Sequence, residues 1–274
     1  WVFFANYWFT LHEDIIYRFK MKKIITILFT LLSIQLVVVN HSYSEEKKVK
    51  DCFETLNRAT FAFNMGLDKA IFKPVSKGYR KLPSPIRKGT SNALNNLSNL
   101  VTVPNNILQG DFRSAANNSV RFVINTTIGI VGIFDPANAL GFERGEKEDF
   151  GQSLGVMGVG EGCYLVLPVL GPSTIRDTVG SFVSLNGGDA WYNVTVENDT
   201  NYVNESDYYI SKGLSGVDFR AKNLEAFDSM EKNSIDLYAT VRSLYLQDRK
   251  KRINNSSGST EAMEDGDWDT LENQ

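Results

Sequence analysis

The sequence predicts an all-α protein consisting mainly of one helical domain. Apolar residues recur at steps of three and four along several stretches, and glycine and proline concentrate between residues 129 and 188. Of the 274 residues, 42% are hydrophobic and 22% are charged, which is typical of a globular protein with a core. We expect residues 45–252 to form this domain, with little or no sheet.

The amino-terminal residues are typical of an export signal preceded by extra sequence. Met21 is the first methionine, and it is followed by two lysines, sixteen uncharged residues (24–39) and a small-x-small site at Ser44. We expect residues 1–20 to be upstream sequence and residues 21–44 to be a signal peptide that is cleaved after Ser44. An uncleaved membrane anchor is the alternative, although the apolar run is shorter than the roughly 20 residues that span a bilayer.

Two helices are predicted in the first part of the domain. Apolar residues recur every three or four positions over residues 53–71, which indicates the first helix. Pro74 weakens or ends this helix. The same steps return over residues 86–104, after Pro85, and we expect this second helix to end at Pro104.

Further helices are predicted on either side of a different kind of segment. We expect a third helix from about Phe112 to Ile124 or beyond, closed by Asp135-Pro136. Helical steps return over residues 217–252 and end in a basic run, where positive charge suits the helix dipole. The last 22 residues, 253–274, carry six acidic groups and no basic one, so we expect a disordered tail.

Between residues 141 and 188 the chain is rich in glycine and proline but also apolar. Regular helix is not expected throughout this segment, and a solvated loop would be more polar. We expect irregular backbone that is buried, packed against lipid or lining a cavity. A helix could begin near Arg176, with Ser173 as its cap and Asp177 in its first turn.

Residue counts exclude several kinds of site. His12 and His41 are the only histidines and precede the expected cleavage site, so Ser-His-Asp triads, Cys-His pairs and His-ligated metals are excluded. Two cysteines cannot form a four-cysteine metal site, and a net charge of −3 disfavours nucleic-acid binding. An acidic cluster could bind calcium or act as a carboxylate pair, although a solvated loop is the preferred interpretation; its members are Glu143, Glu146, Glu148 and Asp149.

Three stretches carry a resemblance to a known family: DCFETLNRATFAFN at the start of 51–112, EDFGQSLGVMGVGEGCYLVLPVLGPSTIRD at 148–177, and DLYATVRSLYLQDRK at 236–250. In this order and spacing they resemble the MlaA (VacJ) family of Gram-negative outer-membrane lipid-transport proteins. The resemblance covers about residues 51–250, which is nearly all of the predicted domain.

The resemblance implies a ring of amphipathic helices in the inner leaflet of the outer membrane, arranged around a central channel. Misplaced phospholipid would leave the outer leaflet through this channel and pass to a soluble periplasmic carrier of the MlaC kind. This transport would maintain the lipid asymmetry of the outer membrane, and family members also associate with trimeric porins. No chemical step, metal or cofactor is implied.

The chain departs from the family in its cysteines. Members usually carry a lipid-modified cysteine at the mature amino terminus, and the signal region here contains none. Membrane attachment would then come from the helical ring, from a porin or from an uncleaved signal. Cys52 and Cys163 each stand where the family commonly has proline. The oxidising periplasm allows a disulfide between them if their Cα atoms lie within about 7 Å, and whether they pair stays open here.

The predicted lipid path joins the first helix to the Gly/Pro-rich segment. Asn57 and Asn64 lie seven residues apart on nearly one helix face, beside an apolar stripe that would suit acyl chains. The alternative is that Phe61 and Phe63 fill a closed core. The predicted path residues are Asn57, Phe61, Phe63, Asn64, Leu67, Leu154, Val156, Met157, Val159, Tyr164, Leu165 and Leu167. The predicted headgroup or membrane-surface residues are Lys73, Lys77, Arg80, Arg87 and Arg176.

Two other functions stay open from the sequence. A carboxylate-dependent envelope hydrolase would need paired carboxylates in a pocket, whereas a lipid channel needs an apolar-lined opening. A soluble periplasmic lipid shuttle is the other alternative, because the family's lipid-modified cysteine is missing.

Overall fold

Helices dominate the part of the chain that the computed structural model describes, which confirms the all-α class. The predicted upstream segment (1–20) and signal peptide (21–44) lie outside the described residues, as does most of the predicted disordered tail (253–274). The first three residues of that tail, 253–255, are helical. The described stretches are 49–184, 188–197 and 204–255.

The first predicted helix does not stop at Pro74. Helix α1 (Glu54–Leu67) continues through a π-helical turn (Asp68–Phe72) into α2 (Lys73–Arg80). In this turn the Lys73 amide donates to the Asp68 carbonyl five residues earlier. Pro74 is the second residue of α2, which directly follows the π-helical turn. The proline therefore changes the winding of the helix without ending it.

The second helix is longer than the sequence indicated. Helix α3 (Ser84–Leu108) starts one residue before Pro85 and passes through Pro104, so the predicted end at Pro104 is wrong. A proline inside a helix removes one backbone hydrogen bond, and tertiary packing can override this local penalty. Helix α4 (Phe112–Thr127) confirms the predicted start and length of the third helix, and the Asp111 carboxylate caps it by accepting from the Ser114 amide. The predicted closure at Asp135-Pro136 is wrong, because α4 ends at Thr127 and Asp135 caps a separate short helix.

Short elements replace the irregular segment that was predicted around residues 141–188. They are α5 (Pro136–Ala139), α6 (Phe150–Val156), strands β1 (Tyr164–Leu167) and β2 (Gly171–Thr174), and α7 (Ile175–Val183).

Strands β1 and β2 pair antiparallel as a hairpin, with Tyr164 opposite Thr174 and Leu167 opposite Gly171. Glycines at positive φ separate the elements on either side: Gly158 and Gly162 precede the hairpin, and Gly171 starts its second strand. Because each element is so short, its hydrophobic period cannot be read from the sequence.

Helix α7 begins close to the predicted position. Thr174, not Ser173, is its cap, and its hydroxyl accepts from the Asp177 amide in the first turn. The carboxyl-terminal part consists of helices, of which those after residue 217 confirm the helical pattern predicted over residues 217–252, whereas the earlier ones were not predicted. The elements of this part are α8 (Ala190–Tyr192), a second π-helical turn (Asn193–Glu197), α9 (Glu205–Lys222), α10 (Leu224–Asn233) and α11 (Leu237–Asn255).

A disulfide joins Cys52 to Cys163, which settles the pairing that the sequence left open. The Cα atoms are 5.6 Å apart, and 111 positions separate the two residues along the chain. The bond ties the start of α1 to the residue just before β1. Within the described ranges, no helix combines the length and the apolar character needed to cross a membrane.

Candidate functional site

Polar side chains fill much of the interior of this protein, and many large apolar side chains are exposed. Among the described residues, buried polar side chains outnumber buried apolar ones by more than two to one. Phe112, Ile128 and Leu170 are 69%, 69% and 76% exposed. Soluble proteins bury their apolar groups and rarely expose wide apolar surfaces. This distribution suits a protein whose outer surface contacts an apolar medium.

Helix α4 shows this inversion on a single element. Asn118, Arg121 and Asn125 are buried on one face, whereas Val123 is 59% exposed. Arg121 donates two hydrogen bonds to the Asp135 carboxylate, at 2.8 and 2.9 Å, and Asn125 donates another at 2.9 Å. Burial acts to raise the pKa of Asp135, but these hydrogen bonds prevail and lower it. The polar groups are buried here because they satisfy one another.

An apolar cavity of about 170 Å³ lies between α1, the hairpin and helices α9 to α11. One of its walls is formed by the first helix and another by the Gly/Pro-rich segment. These are the two elements that were predicted from the sequence to line the lipid path. Its lining residues are Phe61, Asn64, Met65, Leu67, Asp68, Phe72, Val169, Gly171, Pro172, Arg220, Phe227, Met230, Glu231, Leu237 and Val241.

The charged side chains of this cavity wall are paired. The Arg220 guanidinium donates to both Asp68 carboxylate oxygens, at 2.8 and 3.0 Å, and lies 4.7 Å from the centre of the Phe227 ring. Lys69 forms an ion pair with Glu231 at 2.5 Å. The wall therefore combines apolar surface with neutralised charge.

Only some of the predicted path residues meet at this cavity. Phe61, Asn64 and Leu67 line it, and the hairpin contributes Val169 in place of the residues that were predicted from its segment. Phe63 is 58% exposed and is not part of the lining. The other predicted path residues outside the lining are Asn57, Leu154, Val156, Met157, Val159, Tyr164, Leu165 and Leu167.

Asn57 and Asn64 hold the hairpin through their side-chain amides. Asn57 is 2% exposed, donates to the Tyr164 carbonyl at 3.0 Å and accepts from the Val166 amide at 2.9 Å. Asn64 accepts from the Val169 amide at 2.8 Å. These contacts give the two amides a structural role next to the cavity. Whether they also meet a headgroup stays a prediction.

Several of the predicted membrane-surface residues are engaged within the protein. Lys73 pairs with Asp228 at 2.8 Å, and Arg80 pairs with Glu225. Arg87 donates to the Leu82 carbonyl at 3.0 Å. A headgroup contact by these side chains would compete with those partners. Lys77 is exposed.

The fifth basic residue, Arg176, lies in an ion cluster in which Arg176, Asp177 and Arg249 are buried and the Asp149 side chain is 47% exposed. It donates to Asp177 at 3.0 and 3.1 Å, and Arg249 bridges Asp177 and Asp149 at 2.8 and 2.6 Å. Burial acts to raise the pKa of Asp149, but the hydrogen bond from Arg249 prevails and lowers it to about 2. The Tyr245 hydroxyl donates to Asp177 at 2.6 Å. The cluster ties α11 to α6 and α7.

The predicted acidic cluster does not gather into one ion site. No group of three or more His, Cys, Asp or Glu side chains among the described residues is arranged to hold a metal. Asp149 is paired as above, and the Glu148 carboxylate accepts from Gln109 at 2.9 Å. Glu143 is exposed.

The cavity wall formed by α9 to α11 was not predicted from the sequence. Phe227 and Val241 lay on the apolar stripe of residues 217–252, but that stripe was interpreted only as helix. Helical spacing marks a buried face and does not say whether the face closes a core or borders a cavity. No pattern in the sequence marked Arg220 or Glu231 as residues of a cavity wall.

Comparison with known proteins decides the family. The sequence model of the MlaA lipoprotein family matches residues 49–252. The chain belongs to the MlaA lipoprotein family.

Several MlaA relatives are similar over most of their length. The intermembrane phospholipid transport system lipoprotein MlaA of Haemophilus influenzae is 30% identical over 238 residues, 86% of this chain and 92% of the relative. The protein of that name in Escherichia coli K12 is 33% identical, over 75% of this chain and 79% of its own. A Rickettsia bellii protein described as uncharacterized is 34% identical, over 76% and 78%.

A solved structure has the same fold. Its chain, from work on the structural basis for maintenance of bacterial outer membrane lipid asymmetry, matches with a TM-score of 0.64 and 32% identity. The match covers 75% of this chain and all of that one. Both the MlaA family and the all-α fold of the sequence analysis are thus confirmed.

Proposed function

We propose that this protein transports phospholipid between membranes, as the names of its MlaA relatives describe for them. The observation that supports the proposal most strongly is the combination of a polar interior, an exposed apolar surface and an apolar cavity. In this proposal, misplaced phospholipid leaves the outer leaflet of the outer membrane and passes to a soluble periplasmic carrier. The outer membrane would thereby keep its lipid asymmetry, and no chemical step is required.

The size of the cavity limits what it holds. A dry apolar cavity of about 150 Å³ binds a molecule the size of benzene, and this cavity is about 170 Å³. It therefore suits a short length of one acyl chain, not a whole phospholipid. The headgroup and the remaining chain need surfaces outside the cavity.

The exposed apolar side chains support a location at the membrane. Helices that lie in the plane of the membrane–water interface bury an apolar face in lipid without spanning the bilayer. We propose that such helices form a ring in the inner leaflet of the outer membrane, with a trimeric porin as partner. A soluble shuttle would have to expose the same apolar side chains to water, which is unfavourable.

The hydrolase alternative gains no support from the cavity. Its two carboxylates, Asp68 and Glu231, are ion-paired with Arg220 and Lys69. A catalytic acid and base would need a carboxyl group free to exchange a proton with substrate.

A cavity-filling substitution tests the proposal. Val241→Phe places a ring where the acyl chain would lie, and Val120→Phe makes the same change on α4 at a side chain that is 38% exposed. Both variants would replace the resident MlaA of a Gram-negative host. Outer-leaflet phospholipid would be measured on intact cells with a phospholipase too large to pass the porins.

The expected results differ between the two variants. Cells with Val241→Phe should accumulate outer-leaflet phospholipid while the protein remains in the outer-membrane fraction, and cells with Val120→Phe should match wild type. Normal asymmetry with a folded, membrane-associated Val241→Phe protein would contradict the placement of the acyl chain. Wild-type protein that fails to restore asymmetry in the host would contradict the proposed function itself.

A further inference from the structure

An apolar turn, residues 128–134, links α4 to α5. Apart from its two glycines, which are buried, every residue of the turn exposes an apolar side chain. These side chains are 44% to 69% exposed, and they are Ile128, Ile130, Val131, Ile133 and Phe134. The sequence carries no charge over residues 122–134. A contiguous exposed apolar surface of this kind marks a site that contacts another apolar body.

The backbone of the apolar turn satisfies its own hydrogen-bond donors. Six of the seven amides of residues 128–134 donate to backbone carbonyls of residues 124–130, at 2.7 to 3.2 Å. The exposed Thr127 hydroxyl donates to the Val123 carbonyl of its own helix at 2.7 Å. A loop in water does not need this arrangement, because water accepts such hydrogen bonds, whereas irregular backbone in lipid must find its partners within the protein. The donors of this turn are therefore paired before it meets any other molecule.

Two β-branched residues of the apolar turn have a left-handed backbone. Ile130 and Val131 have φ values of 52° and 57°. This conformation is strained for β-branched residues, and turns in water usually place glycine, asparagine or aspartate there. In water, both the strain and the exposure of these side chains are unfavourable. In lipid, the favourable transfer of the apolar side chains offsets the strain.

Close packing holds the apolar turn on α3. A Cβ added to Gly132 would lie 2.5 Å from the Cβ of Asn96, and a Cβ added to Gly89 would lie 3.1 Å from the Cγ2 of Ile133. The Asn92 side-chain amide donates to the Ile133 carbonyl at 3.3 Å. These contacts prevent the turn from folding its apolar side chains back onto the protein.

Cations lie at the base of the apolar turn. Arg121 and Arg144 share the Asp135 carboxylate, at 2.8 and 3.1 Å, so these three groups carry one net positive charge. The Arg144 side chain is 44% exposed and also donates to the Asn92 amide oxygen at 3.1 Å. An apolar tip with a cation at its base matches a bilayer, in which acyl chains lie beneath anionic phosphates.

We infer that the apolar turn inserts into the lipid bilayer at the boundary of headgroups and acyl chains, and that it anchors this protein there. The inference rests on the membrane location in the proposed function and adds the segment that enters the lipid. Phospholipid covers the turn in preference to a porin or a second copy of the chain. A protein partner could accept hydrogen bonds from the backbone, whereas acyl chains cannot, and the donors of the turn are already paired.

Fluorescence quenching by lipid tests the insertion. Phe134→Trp places a fluorophore on the turn, and Ile235→Trp is the control, because Ile235 is fully exposed between the polar residues Ser234 and Asp236. Each full-length variant would be reconstituted into vesicles of dioleoyl phosphatidylethanolamine and phosphatidylglycerol, with and without phosphatidylcholine brominated on its acyl chains. The signal of the four native tryptophans, measured in wild type, would be subtracted.

The brominated lipid should remove most of the added fluorescence of Phe134→Trp and little of that of Ile235→Trp. Unquenched Phe134→Trp in vesicle-bound protein would overturn the inference, because the turn would then face water, or a second copy of the chain. Equal quenching of the two variants would also overturn it, because lipid contact would then not distinguish the turn from a polar loop.

Val131→Asn separates an anchor from a purely structural turn. Asparagine tolerates a left-handed backbone, so the thermal midpoint in detergent should stay equal or rise. Loss of one apolar side chain from lipid should weaken binding to the same vesicles by about tenfold, measured by flotation over a range of lipid concentrations. Ile235→Asn should change neither quantity. Unchanged vesicle binding by Val131→Asn would contradict the anchor, as would a fall in its thermal midpoint without a loss of binding.

The outer-leaflet phospholipid of intact cells separates this inference from the proposed function. If the apolar turn fails the quenching test while wild type restores lipid asymmetry in the host, the anchor is wrong and the transport proposal stands. If the turn is quenched while wild type does not restore asymmetry, the transport proposal is wrong and the anchor stands.

Discussion

Glu148 carries an unfavourable charge in the folded protein at neutral pH. Burial raises the pKa of its carboxyl group to about 7, although the hydrogen bond from Gln109 works against this. The neighbouring charges of Asp149 and Glu146 raise the pKa further. Glu148→Gln removes the charge and keeps an oxygen that can accept from Gln109.

The size and sign of the effect follow from the pKa shift. The carboxyl group has its ordinary pKa of 4.5 in the unfolded chain and about 7 in the folded one. Ionisation therefore disfavours folding by at most about 3 kcal/mol above pH 7, and the penalty disappears as the pH falls through the window to 4.5. Glu148→Gln should raise the free energy of unfolding by up to about 3 kcal/mol at pH 8 and leave it unchanged at pH 4.

Urea unfolding at these two pH values, in a fixed detergent concentration, measures the difference. Glu143→Gln is the matched control, since this carboxylate lies in the same loop and is exposed. The control should change the free energy of unfolding by only a few tenths of a kcal/mol. Equal stability of wild type and Glu148→Gln at pH 8 would refute the reasoning.

Two further predictions concern the hairpin and its attachment. Replacing Cys52 and Cys163 together with alanine opens a loop of 111 positions and should lower the free energy of unfolding by about 4–5 kcal/mol, with reduced wild type behaving alike in thermal melts. Unchanged melting after reduction would contradict this. Asn57→Leu leaves the Tyr164 carbonyl and the Val166 amide without their partner and should lower the free energy of unfolding by about 2–5 kcal/mol. Asn233→Leu is the control, because the Asn233 amide is exposed and donates to the Ser229 hydroxyl, and it should change the free energy of unfolding little. Equal urea midpoints for these two leucine variants would argue against a structural role for Asn57.

Long helices could be predicted from the sequence because their period repeats several times. The spacing of apolar residues by three and four positions predicted α1 and α4, and the bounds of both helices lie close to the expected residues. The end predicted at Pro104 was wrong because the local rule for proline ignores packing, and α3 continues for four residues beyond this proline. The hairpin was missed because each strand has four residues and the glycines around it also suit a loop.

The candidate site was harder to predict than the fold. Asn64 and Phe61, two of the predicted path residues, lie in the cavity lining, and they were chosen because the sequence of α1 indicates one amphipathic helix. Which helix faces point inward could not be decided, because an amphipathic pattern is the same whether its polar stripe faces water or a polar interior. Asn118 and Asn125 of α4 are both buried, and the amphipathic pattern of that helix did not indicate this.

The polar interior has a thermodynamic consequence. The heat capacity of unfolding grows with the apolar area that becomes exposed and falls with the polar area. A protein that buries asparagines and ion pairs such as Arg121 with Asp135 exposes much polar surface when it unfolds. Its heat-capacity change per residue should be smaller than that of a soluble protein of equal length. Its stability should therefore vary little with temperature, and cold should weaken it less than it weakens proteins with apolar cores.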